Sequence, residues 1–389
     1  MTDQEQEPDF INYAIFREEA LENYSELEIW DKQDSLSENI KRLISSCVVF
    51  PYPDIQLPLV VTYSLIPSGL CRVLPILLCT GASGTGKSTI GYLASKIQAA
   101  PILSSGDTFA SIRNTLSEIK GTKYGREKNC MMIWDDIDKS IFYEKPDIYR
   151  MLKYGYDRSS DTISIASRNG ENMLFRVFSP KIISTISPIH NATDLPELTR
   201  RCLVIQTKKV EQITTNDVEL IDSKLIDYKG LSDEFNSLWH DIELCKMFAK
   251  TRKLLVKKKP KSVDSERWLI SLDILTNGIC LELFDSSQDA INWLKAYWDH
   301  HDSLMKKSQG SLVELIKDYL TTETERQKEL SRLLETDDSI VIDAEKFKRQ
   351  LEAWKQKGLV DIELTNKNII EIMTNEGYKL TKRGWVYYG

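Results

Sequence analysis

One segment of the sequence has the residue types and spacing that hold a phosphate. Residues 81–88 read GASGTGKS and match the pattern GxxxxGK[ST] in full. The glycines let several backbone N–H groups face one phosphate, and a helix N-terminus beyond them favours negative charge. The lysine would reach the β- and γ-phosphates and the serine would bind Mg²⁺, so we predict ATP and Mg²⁺ as ligands. The predicted nucleotide-binding residues are Gly81, Ala82, Ser83, Gly84, Thr85, Gly86, Lys87, Ser88 and Thr89.

Two acids follow an apolar run further along the chain. Residues 131–136 read MMIWDD, the pattern of a buried parallel strand that ends in carboxylates. We predict that Asp135 joins Ser88 as a ligand of Mg²⁺ and that Asp136 orients the attacking water. The acids begin 48 residues after Lys87, enough for a helix, a strand and a second helix between them.

Phosphoryl transfer also needs a contact to the γ-phosphate and positive charge on the transition state. Ser184, Thr185 and Ser187 end a later apolar run, and we take Thr185 as the catalytic candidate. Either Arg200 or Arg201 could reach the nucleotide of a neighbouring subunit, although a surface arginine pair is an equal alternative.

The elements that would position these residues alternate between strands and helices. Asn-Gly between two β-rich runs, 162–167 and 173–178, predicts a hairpin. The alternation predicts an α/β fold, a P-loop NTPase core with a mostly parallel sheet. The four strands expected in that sheet cover residues 73–80, 129–134, 181–187 and 202–207.

Hydrophobic periodicity divides the chain into four segments. We expect an acidic helical segment over 1–45, with a helix from Tyr13 to Trp30, and the ATPase core over 46–212. A helical lid domain follows over 213–307. Its Arg267 could contact the nucleotide of its own subunit, although a surface arginine is the favoured alternative. After a linker at 308–310, residues 311–389 resemble a winged helix, with helices followed by a small hairpin. The helices expected in the lid domain cover 217–226, 232–249, 265–283 and 289–305.

Composition excludes several classes of protein. The chain of 389 residues is 41% hydrophobic and 28% charged, which excludes wholesale disorder and fibrous structure. Its seven cysteines form no CxxC pair, which indicates thiols in a reducing compartment and a cytoplasmic location. Neither a signal peptide nor a membrane span is expected.

The net charge of −7 is unevenly distributed. Residues 1–40 hold twelve acids and two bases, whereas residues 246–261 hold eight bases and no acid. A basic segment of this kind could neutralise nucleic-acid phosphates, or it could be a solvated face. The hairpin tip and the wing of the winged helix also carry cations. The candidate nucleic-acid contacts are Arg168, Lys257, Lys258, Lys259, Lys382 and Arg383.

These motifs together resemble the AAA+ ATPase class. The segments Leu152–Arg158, Phe178–Lys181 and Leu198–Arg201, with Arg267-Trp268, are similar to the helicase-like ATPase modules of phage and plasmid replication proteins. That resemblance implies a hexameric ring that moves DNA with ATP, and a hairpin that lines its pore. Asp136 stands where that class usually has glutamate.

Three functions are compatible with the sequence. The first is a DNA-dependent ATPase, a helicase or translocase-like motor from a mobile element. The second is a helicase loader or transposition-type regulator whose ATP controls assembly on DNA. The third is a signalling or defence ATPase, with a protein partner at the winged helix or the acidic N-terminal segment.

Overall fold

The computed structural model describes ten stretches of the chain. They are residues 34–81, 84–120, 131–137, 140–166, 172–185, 196–208, 226–334, 341–356, 366–382 and 384–387. The contacts divide the chain into two units. One contains Met1–Ile186 and Arg200–Tyr297, and the other contains Ser187–Thr199 and Trp298–Gly389. The helices expected at 13–30 and 217–226 lie outside the described residues.

A five-stranded parallel sheet forms the centre of the first unit. The strand order is β2-β3-β6-β1-β7, so β6 separates the strand before the glycine-rich loop from the strand before the acids. Every residue of β1 and β6 is buried, as expected for a sheet covered on both faces. The strands are β1 (Ile76–Thr80), β2 (Ile102–Leu103), β3 (Met132–Trp134), β6 (Lys181–Thr185) and β7 (Cys202–Gln206).

The sheet confirms the four predicted strands and adds a fifth. Sequence patterns missed β2 because it is only two residues long and has no apolar run of its own. The predicted hairpin is also confirmed. Its strands, β4 (Thr162–Ala166) and β5 (Asn172–Arg176), pair antiparallel, with Thr162 opposite Arg176 and Ala166 opposite Asn172.

Helices surround the sheet and continue the first unit beyond it. They are α1 (Leu36–Cys47), α2 (Pro53–Ser64), α3 (Lys87–Gln98), α4 (Phe109–Lys120), α5 (Ile141–Glu144), α6 (Pro146–Tyr154), α8 (Tyr228–Leu238), α9 (Ile242–Val256) and α10 (Ser265–Cys280). The prediction of a single helix over 232–249 is wrong, because the helical region breaks at Trp239. Asp241 caps the new helix by accepting from the Glu243 N–H, a typical N-cap arrangement.

The second unit contains a three-stranded antiparallel sheet, in the order β8-β10-β9. Its core includes Ile316, Phe347, Trp354 and Trp385. The prediction of a linker at 308–310 is wrong, because the 48-residue helix α11 (Ser287–Leu334) includes these residues. The remaining elements are α7 (Pro196–Thr199), α11 (Ser287–Leu334), β8 (Val341–Ile342), α12 (Ala344–Gln356), α13 (Asn366–Asn375), β9 (Tyr378–Thr381) and β10 (Gly384–Tyr387).

A buried ion pair joins two of the outer helices to the segment before β1. Asp273 on α10 is fully buried and pairs with Arg252 on α9. The same carboxylate accepts hydrogen bonds from the backbone N–H groups of Arg72 and Val73, at 2.7 and 2.8 Å. Because burial removes the carboxylate from water, all of these partners are needed to offset its desolvation.

We predict that Asp273→Asn destabilises the chain by about 3–5 kcal/mol, because the Arg252 charge is left without its partner in a half-buried position. Urea unfolding followed by circular dichroism measures the change. Asp233→Asn is the matched control, since it removes an acid from an exposed pair with Lys229 and should change the unfolding midpoint little. Equal midpoints for the two variants would contradict this account.

Candidate functional site

The glycine-rich segment forms the turn between β1 and α3. Gly86 has φ of 86° at the N-cap of α3, a left-handed conformation that glycine adopts without strain. Gly81 has φ of 148°, and an added Cβ would lie 2.8 Å from the carbonyl oxygen of Thr207. A side chain at position 81 would therefore push the loop away from β7. The predicted nucleotide contacts Ala82 and Ser83 lie outside the described residues.

Two threonines fasten the glycine-rich loop to the end of β7. The hydroxyl oxygens of Thr85 and Thr207 lie 2.6 Å apart, and both side chains are buried. The Thr207 N–H also donates to the Thr80 carbonyl at 3.0 Å. Thr207 carries no motif of its own, so sequence reasoning missed it. Its role emerges only because β7 is the parallel neighbour of β1.

Lys87 lies at the start of α3 and faces the two acids. Only 7% of the residue is exposed. Burial lowers the pKa of its ammonium group, while the nearby carboxylates of Asp136 and Asp135 act in the opposite direction. Ser88 beside it is exposed and Thr89 is half-buried. The sheet thus brings together the lysine and acids that are separated by 48 residues in the sequence.

Ser184, at the end of β6, holds the acidic loop in place. Its hydroxyl donates to the Oδ1 atom of Asp135 and accepts from the Asp136 N–H at 3.0 Å. Its carbonyl accepts from the Ile137 N–H at 3.0 Å. Asp136 has φ of 50°, so this network fixes an uncommon backbone conformation directly after Asp135. The two carboxylates are consequently presented at the edge of the sheet, half-buried for Asp135 and exposed for Asp136.

Thr185 points into the protein in this conformation. It is fully buried, and its hydroxyl donates to the Ile137 carbonyl at 2.6 Å. This contact ties β6 to the acidic loop from the side opposite Ser184. A direct role of Thr185 at a γ-phosphate remains a prediction, and Ser184 is the residue of this strand that contacts the acids.

The donors at this edge fit Mg²⁺. Magnesium binds hard oxygen ligands, and in nucleotide sites one or two protein oxygens suffice beside the phosphates. The Ser88 hydroxyl and the Asp135 carboxylate are of that kind and are accessible to solvent. In the described part of the chain, no cluster of three or more His, Cys, Asp or Glu residues forms a metal cage. Ser88 and Asp135 would therefore hold the ion only together with a nucleotide.

The two candidate arginine fingers have different surroundings. Arg201 donates to the Lys153 carbonyl and stacks over the Tyr156 ring, 4.1 Å from its centroid. Arg200 is 58% exposed and lies 3.5 Å from the Glu266 carboxylate. An exposed ion pair of that length is weak and easily exchanged. Arg200 is therefore the more exposed member of the pair.

Arg267 lies in the first turn of α10 and pairs with Asp264, 3.2 Å away. Asp264 also caps the helix by accepting from the Arg267 N–H at 2.9 Å. The guanidinium lies close enough to the buried Tyr297 hydroxyl to act on its pKa, which burial raises. Its predicted contact with a nucleotide stays a prediction.

The candidate nucleic-acid contacts lie in separate segments of the sequence. Lys257, Lys258 and Lys259 are exposed where α9 ends, and Lys382 is exposed in the turn between β9 and β10. Arg168 and Arg383 lie outside the described residues.

Two arginines that flank the hairpin have structural partners. Arg158 donates to the Cys71 and Ser68 carbonyls. Arg176 pairs with the buried Asp161 at 3.2 Å, although half of its side chain stays exposed.

Comparison with known proteins identifies no family for this chain. No family model matches the sequence, and no curated protein matches it. Among solved structures, the chain is similar to "SCCmec type IV Cch - active helicase", with 15% identity and a TM-score of 0.38. The match covers 86% of this chain and 67% of that one. In the part of the chain that the structure describes, none of the helices has the length and apolarity of a membrane span.

We predict that Ser184→Ala lowers Mg²⁺-dependent ATP hydrolysis about 10–100-fold, the usual cost of removing a group that orients a metal ligand. Steady-state kinetics over a Mg²⁺ titration measure the loss. Ser95→Ala is the matched control, because the Ser95 hydroxyl bonds only within α3, to the Tyr92 carbonyl, and should leave the rate unchanged. Equal rates for Ser184→Ala and the wild type would show that Ser184 does not orient Asp135.

Proposed function

We propose that this chain is an ATP-hydrolysing, DNA-dependent ATPase with an AAA+-like P-loop core. The observation that carries the proposal is the meeting of Lys87 with Asp135 and Asp136 at the carboxyl edge of the parallel sheet. A glycine-rich turn, a buried lysine and two neighbouring carboxylates suit a nucleoside triphosphate with its metal ion.

Each residue of the site has one task in this reaction. The backbone N–H groups of the loop and the Lys87 ammonium bind the phosphates and withdraw charge from the transferred group. Ser88 and Asp135 would hold Mg²⁺, which would supply positive charge to neutralise the phosphates. Asp136 accepts a hydrogen bond from the attacking water and aligns it. Ser184 holds the Asp135 carboxylate and the Asp136 backbone N–H in position.

A ring oligomer, a hexamer by resemblance to its class, completes the site. We assign the trans-acting finger to Arg200, because 58% of its side chain is exposed. The Arg201 guanidinium instead donates to the Lys153 carbonyl and stacks over the Tyr156 ring.

The finer proposal is a helicase or translocase-like motor of a phage, plasmid or other mobile element. The β4–β5 hairpin lies directly before β6 in the sequence, and β6 is the strand that contacts the acids. A hairpin at that place could couple DNA to the state of the nucleotide. The C-terminal elements follow one another in the order of a winged helix, namely α11, β8, α12, α13, β9 and β10. This order supports a DNA-binding or protein-binding unit.

One observation favours a loader or signalling ATPase as the second candidate. The exposed side chains described on α13 are Ile370, Glu371, Thr374 and Asn375, and Leu380 beyond it is 49% exposed. An apolar and acidic face of this kind suits a protein partner better than phosphates.

ATP hydrolysis with and without single-stranded DNA distinguishes these functions. We expect a rate that DNA raises several-fold and that Lys87→Ala abolishes, because the phosphates lose their buried cation. Lys96→Ala, at the other end of the same helix, is the matched control and should hydrolyse at the wild-type rate. A Lys87-dependent rate that DNA leaves unchanged would exclude the motor and favour the signalling ATPase.

Mixing variant subunits tests whether Arg200 acts on the nucleotide of a neighbouring subunit. Arg200→Ala should lose most hydrolysis, by about 10³-fold or more, and regain part of it when mixed with Lys87→Ala subunits. The gain arises because a Lys87→Ala subunit still supplies Arg200 to an intact neighbouring site. Mixtures with no more activity than the separate variants would show that Arg200 does not act in trans.

A further inference from the structure

Helix α9 presents a stripe of lysines to the surface. Lys246, Lys250, Lys253 and Lys257 are all exposed and recur at spacings of four, three and four residues. That spacing places them on one face of a helix, along about 16 Å at 1.5 Å per residue. We call these four residues the lysine stripe. Glu243 accompanies it at one end, 2.7 Å from Lys246.

Apolar surface borders the lysine stripe on both sides. On one side lies a groove of about 430 Å³, lined by Leu70, Phe248, Ala249 and Val256 as well as Lys253 and Lys257. On the other side Met247 and Leu254 are 40% and 51% exposed. Four of the fourteen large apolar side chains exposed in the described residues belong to this one helix. Nucleic acid could pair with the lysines but would leave this apolar surface uncovered.

The beginning of the described chain lies near the end of α9. The Ser37 hydroxyl donates to the Leu281 carbonyl at 2.9 Å, and Lys258 donates to the Ser287 hydroxyl at 3.0 Å. Leu281 and Ser287 are six residues apart, which spans at most about 20 Å. The 33 residues before Asp34 would extend about 50 Å as a helix, so they can reach along the whole of α9.

The composition of those residues complements α9. Residues 1–33 contain ten acids and two bases, interleaved with large apolar side chains such as Phe16, Leu21, Leu27 and Trp30. We propose that residues 1–33 dock on α9 of their own chain, with their acids on the lysine stripe and their apolar side chains in the groove. The docked segment covers the candidate nucleic-acid contact Lys257 and competes with phosphates for the stripe.

Zero-length cross-linking of carboxylates to lysines in the full chain tests the docking. We expect links from residues 1–33 to Lys250, Lys253 and Lys257. Lys41, exposed on α1 close to residue 34 in sequence, is the control for simple tethering, and exposed Lys348 on α12 is the control for random encounter. Links dominated by Lys41 or Lys348 would overturn the proposal. Links between ¹⁵N-labelled and unlabelled chains would overturn the assignment to the same chain.

Amide hydrogen exchange with charge reversal gives a second readout. We expect Lys250→Glu, Lys253→Glu and Lys257→Glu together to speed exchange in residues 1–33 several-fold. Adding Glu18→Lys, Glu19→Lys and Glu22→Lys should restore the protection. The matched reversal Lys348→Glu with Arg349→Glu should change nothing, and exchange in β1 reports that each variant is folded.

The occupant could instead be nucleic acid, and the same experiments decide this. In that case the charge reversal on α9 leaves amide exchange in residues 1–33 unchanged. A single-stranded oligonucleotide also protects α9 from exchange in the wild-type chain. These two results together would overturn the proposal. Neither readout requires ATP hydrolysis. Failure of the docking is therefore separate from failure of the proposed ATPase.

Discussion

The hydrogen bonds between Ser184 and the acidic loop are the constraint on which the site depends. They connect the end of β6 to the two carboxylates that follow β3, and those strands are neighbours in the sheet. Without this connection nothing from β6 would hold the positive φ of Asp136, and the half-buried Asp135 could turn into solvent. A hydroxyl that donates to one acid and accepts from the next residue fixes both with a single side chain.

The electrostatics of the site follow from the same arrangement. Lys87 is almost completely buried, which disfavours its charge, and the two carboxylates partly offset that cost. A phosphate arriving at the loop would add further negative charge beside the ammonium.

Charge is also separated along the chain, on a larger scale. The acids of residues 1–33 and the lysine stripe of α9 are more than 200 residues apart in the sequence. The Ser37 hydroxyl, shortly after the acidic segment, donates to the Leu281 carbonyl at the end of α10. Arg252 differs from the neighbouring lysines because it turns inward to Asp273 and stabilises the fold. The basic segment therefore combines a half-buried structural cation, Arg252, with exposed lysines that include the stripe.

Much of the fold could be predicted because local patterns encode it. The glycine-rich turn, the apolar strands and the Asn-Gly hairpin each depend on residues that are close in sequence, and the structure confirms them. Sequence patterns did not predict β2, because two residues are too few to show the alternation of a strand. They also predicted a linker at 308–310, where the structure has a glycine within a long helix. The motif residues Lys87, Asp135 and Asp136 could be proposed from the sequence because phosphate chemistry requires those residue types, and their catalytic roles stay predictions. Tertiary structure alone decided the roles of Thr207, Ser184 and Asp273, and the different surroundings of Arg200 and Arg201. These roles depend on which strands and helices are neighbours, and a hydroxyl or carboxylate gains its partner only when the sheet order brings distant segments within hydrogen-bond distance.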